Sequence, residues 1–76
     1  MGARLPRLTA RELIAALRRD GWVRVTQVGS HYHMAHPDRP GKVTIPVHTG
    51  TIIRPKLLQM ILRQAGITPD RLKELL

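Results

Sequence analysis

The stretch WVRVTQVGSHYHMAHPDRPGKVTIPV, residues 22–47, decides the fold because two turn motifs divide it into three runs of alternating character. Gly29-Ser30 is typical of a tight reversal, and PDRPG at residues 37–41 is the plainest turn in the chain. Apolar and polar residues alternating at a period of two, with β-branched residues among them, are typical of half-buried strands. The stretch therefore predicts an antiparallel meander with strands over residues 22–28, 31–36 and 42–47.

Successive side chains of a strand point to opposite faces of the sheet, so each predicted strand has an inner and an outer set. The side chains expected to face the core are Val23, Val25, Tyr32, Met34, Val43 and Ile45. The opposite face is then expected to carry Trp22, Arg24, Thr26, His31, His33, Lys42 and Thr44, with His48 just beyond the last strand. Pro46 has no N–H to donate, so the third strand is expected to lie at a sheet edge or to end there.

A helix is predicted before the meander, over the segment LTARELIAALRRDG at residues 8–21. Thr9 is a suitable N-cap, and Glu12 three residues later completes a capping box. Gly21 provides the stop. The apolar stripe at helical spacing consists of Leu13, Ile14 and Leu17.

Two more helices are predicted after the meander. The first starts at Pro55 and stops at Gly66, with Ile67 placed for the apolar contact of a Schellman cap. Residues 68–76 restart a short helix with Thr68 as N-cap and Pro69 in the first turn. Apolar helical stripes need a surface to cover, and one face of a small antiparallel sheet provides it. We expect a single α+β domain over residues 1–76, with the other sheet face left open.

Positive charge dominates the composition. Thirteen Lys and Arg, ten of them Arg, face five Asp and Glu, for a net charge of +8. The planar guanidinium suits phosphate, so a nucleic-acid partner is favoured, although an anionic membrane surface or an acidic protein would also be attracted. With one Trp, one Tyr and no Phe, the chain has no base-stacking platform, so phosphate contacts should carry the affinity.

The chain has no cysteine, which excludes disulfides and thiolate metal sites and fits a reducing compartment. Charges interrupt the apolar residues of the first 21 positions, so this stretch is predicted to be neither a signal peptide nor a membrane span. The expected location is the cytoplasm.

Three of the four histidines, His31, His33 and His36, lie within six positions, which raises the question of a metal. A three-imidazole zinc site would need His31 and His33 together with His36 or His48. By strand parity His36 points away from the first two, and no cysteine or suitably spaced carboxylate completes the set. We predict no metal and no cofactor. His36 is expected to end its strand or to bond the adjacent turn.

Five segments of the chain, in order and at matching spacing, resemble the HicA toxin family of small mRNA interferases. They are DGW at 20–22, QVGSH at 27–31, MAHP at 34–37, TIPVH at 44–48 and ILRQAGIT at 61–68. The resemblance implies a fold like that of double-stranded-RNA-binding domains and an endoribonuclease that cleaves mRNA and inhibits translation and growth. It also implies that the histidine of Gly-Ser-His, His31, is catalytic and that a HicB-type antitoxin covers the active face.

An imidazole can both take and give a proton near neutral pH, and RNA has its own nucleophile in the 2′-OH. We therefore predict that His31 is a general base or acid, with Lys42 or Arg24 neutralising charge at the phosphate. The residues expected to contact RNA are Arg24, Ser30, His33, Lys42 and His48. The residues alone leave His31 open to a second interpretation, as a solvated strand histidine, and Trp22 is expected to be a packing anchor at the helix–strand corner.

Two other functions compete with a ribonuclease. A non-catalytic RNA-binding module would use the same open sheet face and the same charge, but it has no need of Gly-Ser-His on that face. A DNA-binding domain is disfavoured because the chain has no helix-turn-helix pattern.

Overall fold

A computed structural model describes residues 5–76, so the first four residues of the N-terminal stretch considered above lie outside it. The elements are α1 (Ala10–Arg19), β1 (Val23–Val28), β2 (His31–His36), β3 (Arg39–Pro46), α2 (Pro55–Ala65) and α3 (Pro69–Leu75). The predicted α+β order of a helix, a three-stranded antiparallel meander and two helices is confirmed. Among the described residues, no helix combines the length and the apolar character needed to cross a bilayer.

The helix ends form as the sequence predicts. Thr9 and Glu12 make the reciprocal capping box of α1, with the Thr9 N–H donating to Glu12 Oε1 at 2.9 Å. At the end of α2, Gly66 takes a left-handed conformation, and the Ile67 N–H donates to the carbonyl of Leu62 at 2.9 Å. This is the Schellman geometry, which satisfies carbonyls that the helix itself leaves unpaired. The Thr68 side chain caps α3.

The covered face of the sheet is built on β2 and β3. Tyr32 lies opposite Ile45 and Met34 lies opposite Val43, and all four side chains are buried as predicted. Both α1 and α2 contact β3, so the helices lie over this part of the sheet. The resulting hydrophobic cluster also includes Leu13, Leu17, Leu58, Ile61 and Leu72.

The facing of β1 differs from the prediction. Val23 and Val25 were expected to point into the core, yet they are 55% and 47% exposed. Trp22 was expected on the outer face, yet it is 1% exposed and belongs to the hydrophobic cluster. Its role as a packing anchor between helix and strand is therefore confirmed, whereas the assignment of the two valines to the core is wrong.

A bulge and the position of the helices explain this difference. Arg24 lies opposite Met34, but Thr26 lies opposite His33, so Val25 is an extra residue in β1. One extra residue in a strand reverses which side chains share a face. In addition, every residue of β1 is exposed, because the helices cover β2 and β3 rather than this edge strand.

The second turn is shorter than predicted. The segment at residues 37–41 was expected to be a turn throughout, but β3 already begins at Arg39, which lies opposite His36. A register shift between Ala35 and His36 accommodates the tight connection. Pro40 is tolerated within β3 because this strand lies at a sheet edge, where a missing N–H breaks no ladder bond on the outer side. As predicted, Pro46 ends the edge strand.

Candidate active site on the open sheet face

Cross-strand pairing arranges the open face of the sheet in three rows, and no side chain in these rows is fully buried. Paired residues on neighbouring strands point to the same face of a sheet. The rows, each written from β1 to β3, are Val28–His31–Pro46, Thr26–His33–Thr44 and Val23–Ala35–Lys42. His31 and His33 are therefore neighbours along the middle strand.

His31 follows the tight β1–β2 turn directly. Gly29 has a φ of 58°, a left-handed conformation that favours glycine and lets the hairpin reverse in two residues. The imidazole that follows is exposed and makes no hydrogen bond with any other described residue. Its two ring nitrogens are thus available to a substrate.

His33 lies one row away and is held by its neighbour on β3. Its Nδ1 is 2.8 Å from Thr44 Oγ1, and the ring is half-buried. The two-residue separation along β2 places it about 7 Å from the position of His31. His33 therefore lines the same end of the open face with one ring nitrogen already engaged.

His48 and Ser30 lie at the same end as His31. Pro46 is opposite His31, and the Val47 N–H donates to the Ser30 carbonyl at 2.7 Å, which keeps the chain beside the turn as it leaves β3. His48 follows and is exposed. Four of the residues predicted for the site, Ser30, His31, His33 and His48, are therefore brought together.

Lys42 and Arg24 are not part of this group. Lys42 lies in the row of Ala35, four residues along β2 from His31 and so about 13 Å away. Arg24 lies opposite Met34, on the covered side of the sheet, because the bulge at Val25 reverses its facing. The expectation that Arg24 shares the open face with His31 is wrong, and Lys42 is too far along the strand to be its immediate neighbour.

Arg54 is a cation near this end that the sequence did not indicate. It lines a shallow depression of about 290 Å³ together with His48, Pro46 and the apolar residues Ile52 and Leu57. Arg54 is also the N-cap of α2 and makes no side-chain capping bond. The only sign of Arg54 in the sequence is its place before Pro55, the residue that starts α2. Its position beside His48 depends on how the connection between β3 and α2 folds.

His36, at the other end of β2, has a different environment. Its Nε2 lies 2.8 Å from the Asp20 carbonyl, and its Nδ1 lies 3.0 Å from the Asp38 N–H. A carbonyl only accepts and an amide N–H only donates, so Nε2 is the donor of the ring and Nδ1 its acceptor. The ring also meets Trp22 edge-on, with centroids 5.4 Å apart. His36 was predicted to end its strand or to bond the adjacent turn, and it does both.

Asp20 ties three elements together beside His36. Its carboxylate is only 5% exposed and accepts from Arg39 at 2.6 Å and from Arg71 at 3.2 Å. Burial alone would raise the pKa of this carboxyl, but the hydrogen bonds and positive charges of the two arginines outweigh burial and hold its pKa below the ordinary value. This pair of contacts joins the end of α1 to β3 and α3.

Within residues 5–76, no group of three or more His, Cys, Asp or Glu side chains is arranged to hold a metal ion.

These features define a small, basic α+β protein that displays a histidine on an open sheet face, immediately after a hairpin turn. Comparison with known families then identifies the group: the model of the family described as HicA toxin of bacterial toxin-antitoxin matches residues 10–67. The chain belongs to this family. The matched range runs from the first residue of α1 to the residue that closes the Schellman cap of α2, and it includes every predicted site residue. A search of curated proteins finds no significant match. Family membership assigns the role of toxin in a toxin–antitoxin system, and hence an antitoxin partner.

Proposed function

We propose that this toxin is an endoribonuclease that cleaves mRNA in the cytoplasm by metal-independent acid–base catalysis, with His31 as a catalytic residue, until a HicB-type antitoxin neutralises it. The observation that carries the proposal is the exposed, unengaged imidazole of His31 on the open face of a basic sheet. His36 provides the contrast, because both of its ring nitrogens are hydrogen-bonded within the fold.

The proposed chemistry needs two proton-transfer groups. One imidazole removes the proton from the ribose 2′-OH as its oxygen attacks the adjacent phosphorus, and a second group donates a proton to the departing 5′-oxygen. His31 is one of the two. The products are a 2′,3′-cyclic phosphate and a 5′-hydroxyl, so no water and no protein nucleophile enters this step.

The second group is one of the two imidazoles at the same end, His33 or His48. His48 has the freer ring and lies beside Arg54, whose guanidinium is suited to neutralise the phosphate at this end of the face. Ser30 is half-buried in the turn, and its hydroxyl is a phosphate ligand in this proposal. Lys42 contacts the RNA further along the face, outside the reacting centre, and Arg24 contacts it from the other side of the β1 edge.

An antitoxin that buries the open face would neutralise the enzyme directly. The toxin has a net charge of +8, which favours an acidic partner. Val23 and Val28 are 55% and 66% exposed on the same face as His31, and exposed apolar side chains of this kind are suited to a protein interface. The proposed partner therefore combines acidic residues with an apolar segment.

The test compares inducible expression of the wild type with His31→Ala, recording growth and mRNA integrity, together with the purified proteins incubated with RNA in EDTA. Wild type should arrest growth and produce cyclic-phosphate ends, and His31→Ala should do neither. Gln59→Ala, an exposed change on α2, is the control for substitution as such.

Three results would contradict parts of the proposal. RNA binding without cutting by wild type and variant alike would favour the non-catalytic RNA-binding module. Fragments with 5′-phosphate ends, or an absolute need for a divalent metal, would contradict the chemistry. A complex with the antitoxin in which His31 stays exposed would contradict direct masking.

A further inference from the structure

A second concavity lies on the other side of the β1–β2 hairpin from His31, between α1 and the strands. It measures about 540 Å³ and is lined by Arg11, Ile14, Ala15, Arg18, Gln27, Tyr32 and Val47. We call it the α1 groove. Its walls carry two cations, an amide and a phenol over an apolar floor, and no carboxylate lines it.

The two arginines of the α1 groove are not neutralised by the protein. Arg11 and Arg18 are seven residues apart on one face of α1, a separation of about 10.5 Å along the axis. Neither forms an ion pair within residues 5–76. By contrast, Arg39 is bound to Asp20, and Arg19 donates to the Leu75 carbonyl at 2.7 Å. The charge of the groove is therefore available to an external anion.

Arg18 is held in position for such an anion. Its Nη2 donates to the Tyr32 hydroxyl at 2.6 Å, which fixes the guanidinium over the groove. Because the hydroxyl oxygen accepts this bond, its own proton remains free to be donated to a ligand oxygen. Tyr32 is only 7% exposed, so its ring cannot stack on a base, and the groove has no other aromatic residue. These groups suit phosphate and provide no surface on which a base could stack.

The α1 groove and His31 meet at the same end of the hairpin. Tyr32 follows His31 directly, and Gln27, which lies opposite Tyr32, donates from Nε2 to the Gly29 carbonyl at 3.3 Å. Val47 in the groove donates to the Ser30 carbonyl. A single-stranded RNA can therefore pass around the hairpin turn from the α1 groove to His31.

We infer that the α1 groove binds the phosphate backbone of the RNA strand beside the cleaved bond, with Arg11 and Arg18 as the phosphate ligands. This inference rests on the proposed ribonuclease function. It adds a binding surface on the helix-covered side of the molecule to a reaction centre on the open side. Recognition there is independent of sequence, since phosphate contacts carry no base information.

The test measures binding of a labelled single-stranded RNA to proteins carrying His31→Ala, which prevents cleavage, over a range of salt concentrations. Each phosphate contact on a single strand contributes about 0.7 to the slope of log affinity against log salt. Arg11→Gln should therefore lower that slope by about 0.7, as should Arg18→Gln, whereas Arg18→Lys should keep most of it. Arg63→Gln, which removes an exposed charge from the last turn of α2, is the matched control and should leave the slope nearly unchanged.

The same variants without His31→Ala separate binding from chemistry. Arg11→Gln should raise KM for RNA cleavage several-fold and leave kcat unchanged. Unfolding midpoints check that Arg18→Gln, which also loses the bond to Tyr32, is still folded.

Several results would overturn the inference. It fails if Arg11→Gln matches Arg63→Gln in slope and KM, or if the protein binds no RNA. It also fails if the Arg11 and Arg18 variants lose affinity for the antitoxin and keep that for RNA, because the groove would then belong to the antitoxin. Failure of the proposed ribonuclease function can be distinguished from failure of this inference. In the first case wild type would cut no RNA, but the salt dependence of RNA binding would still show whether Arg11 and Arg18 contact phosphate.

Discussion

The two ends of β2 hold the same kind of side chain in opposite circumstances. At one end His36 has both ring nitrogens hydrogen-bonded and its ring against Trp22. At the other end, five residues away, His31 is exposed and has no described hydrogen-bond partner. A histidine with both nitrogens satisfied is part of the architecture, whereas one displayed with both free has no structural use for its imidazole.

The difference also separates stability from activity. The His36 end joins α1, β3 and α3 through Asp20, so changes there should act on folding. The His31 end has a two-residue turn and no long-range contact through the imidazole, so changes there should act on chemistry. Substitutions at the two ends should therefore produce opposite phenotypes.

The largest expected effect is that of His31→Ala on cleavage. Loss of one acid–base group should reduce the rate by about 10²–10⁴-fold, because that is the range such catalysis supplies. The thermal unfolding midpoint should stay that of wild type, since the side chain is exposed. Rates from a defined RNA substrate and a melting curve measure both. A variant that unfolds early, or one that cleaves normally, would remove the distinction between the two ends.

The next effect is that of Gly21→Ala at the His36 end. Gly21 has a φ of 99°, and an added Cβ would lie 2.6 Å from His36 Nε2, the atom bonded to the Asp20 carbonyl. The left-handed backbone costs an alanine about 1–2 kcal/mol, and displacing the ring costs about 1 kcal/mol more. Urea unfolding should show a loss of about 2–3 kcal/mol, with cleavage per folded molecule retained.

Two further variants sharpen that result. Gly41 also has a positive φ, 86°, but no atom lies within 4 Å of a Cβ added there. Gly41→Ala should therefore lose only the free energy that the left-handed backbone costs an alanine. In a His36→Ala background, Gly21→Ala should lose its steric part and cost no more than Gly41→Ala. Equal costs for Gly21→Ala with and without His36 would show that the ring gives way freely.

A smaller effect, dependent on pH, is expected from Asp20→Asn. The two arginines hold the pKa of the folded carboxyl below its ordinary value of 3.8, so they stabilise the fold above about pH 4. That stability disappears as pH falls through the lowered pKa. Asp20→Asn should therefore be destabilised at pH 7 by about 1–2 kcal/mol, a modest loss because both arginines are half-exposed.

Denaturant unfolding at pH 7 and at pH 2–3 tests this linkage. The gap between wild type and Asp20→Asn should close at the acid end, where the wild-type carboxyl is protonated as well. A gap of constant size across the pH range would show that Asp20 acts through packing and not through charge.

Most of the fold could be predicted because its determinants are local. The capping box at Thr9, the left-handed Gly66 and the alternation around Tyr32 and Met34 each specify their own element within a few residues. The facing of β1 could not be predicted in this way, because it depends on a bulge at Val25 and on helices that leave β1 uncovered. The alternation of apolar and polar residues continues through Val25, so the pattern gives no sign of an extra residue there.

The candidate site follows the same rule. The exposure of His31 and the direction of His33 follow from strand parity within β2, where no bulge intervenes between the two. Arg24 was assigned to the wrong face because the bulge lies between it and the turn. The positions of Arg54 beside His48 and of Arg18 over Tyr32 depend on tertiary packing, which brings together residues far apart in the chain.

The smallest effect should be that of Thr44→Val, which removes the hydroxyl 2.8 Å from His33 Nδ1 and keeps the β-branched shape. If His33 is only a neighbour of His31, the proposed catalytic residue, cleavage should fall by less than about threefold. A threefold loss corresponds to about 0.7 kcal/mol, which is within the range of one net hydrogen bond. The ¹⁵N shifts of the His33 ring should change, because Nδ1 loses its hydrogen-bond partner. Thr26→Val, opposite His33 on β1 with no such bond among the described contacts, should leave those shifts in place. A large loss of cleavage from Thr44→Val alone would instead make Thr44 the residue that orients a catalytic His33, and the open face would then contain a positioned histidine beside an unpositioned one.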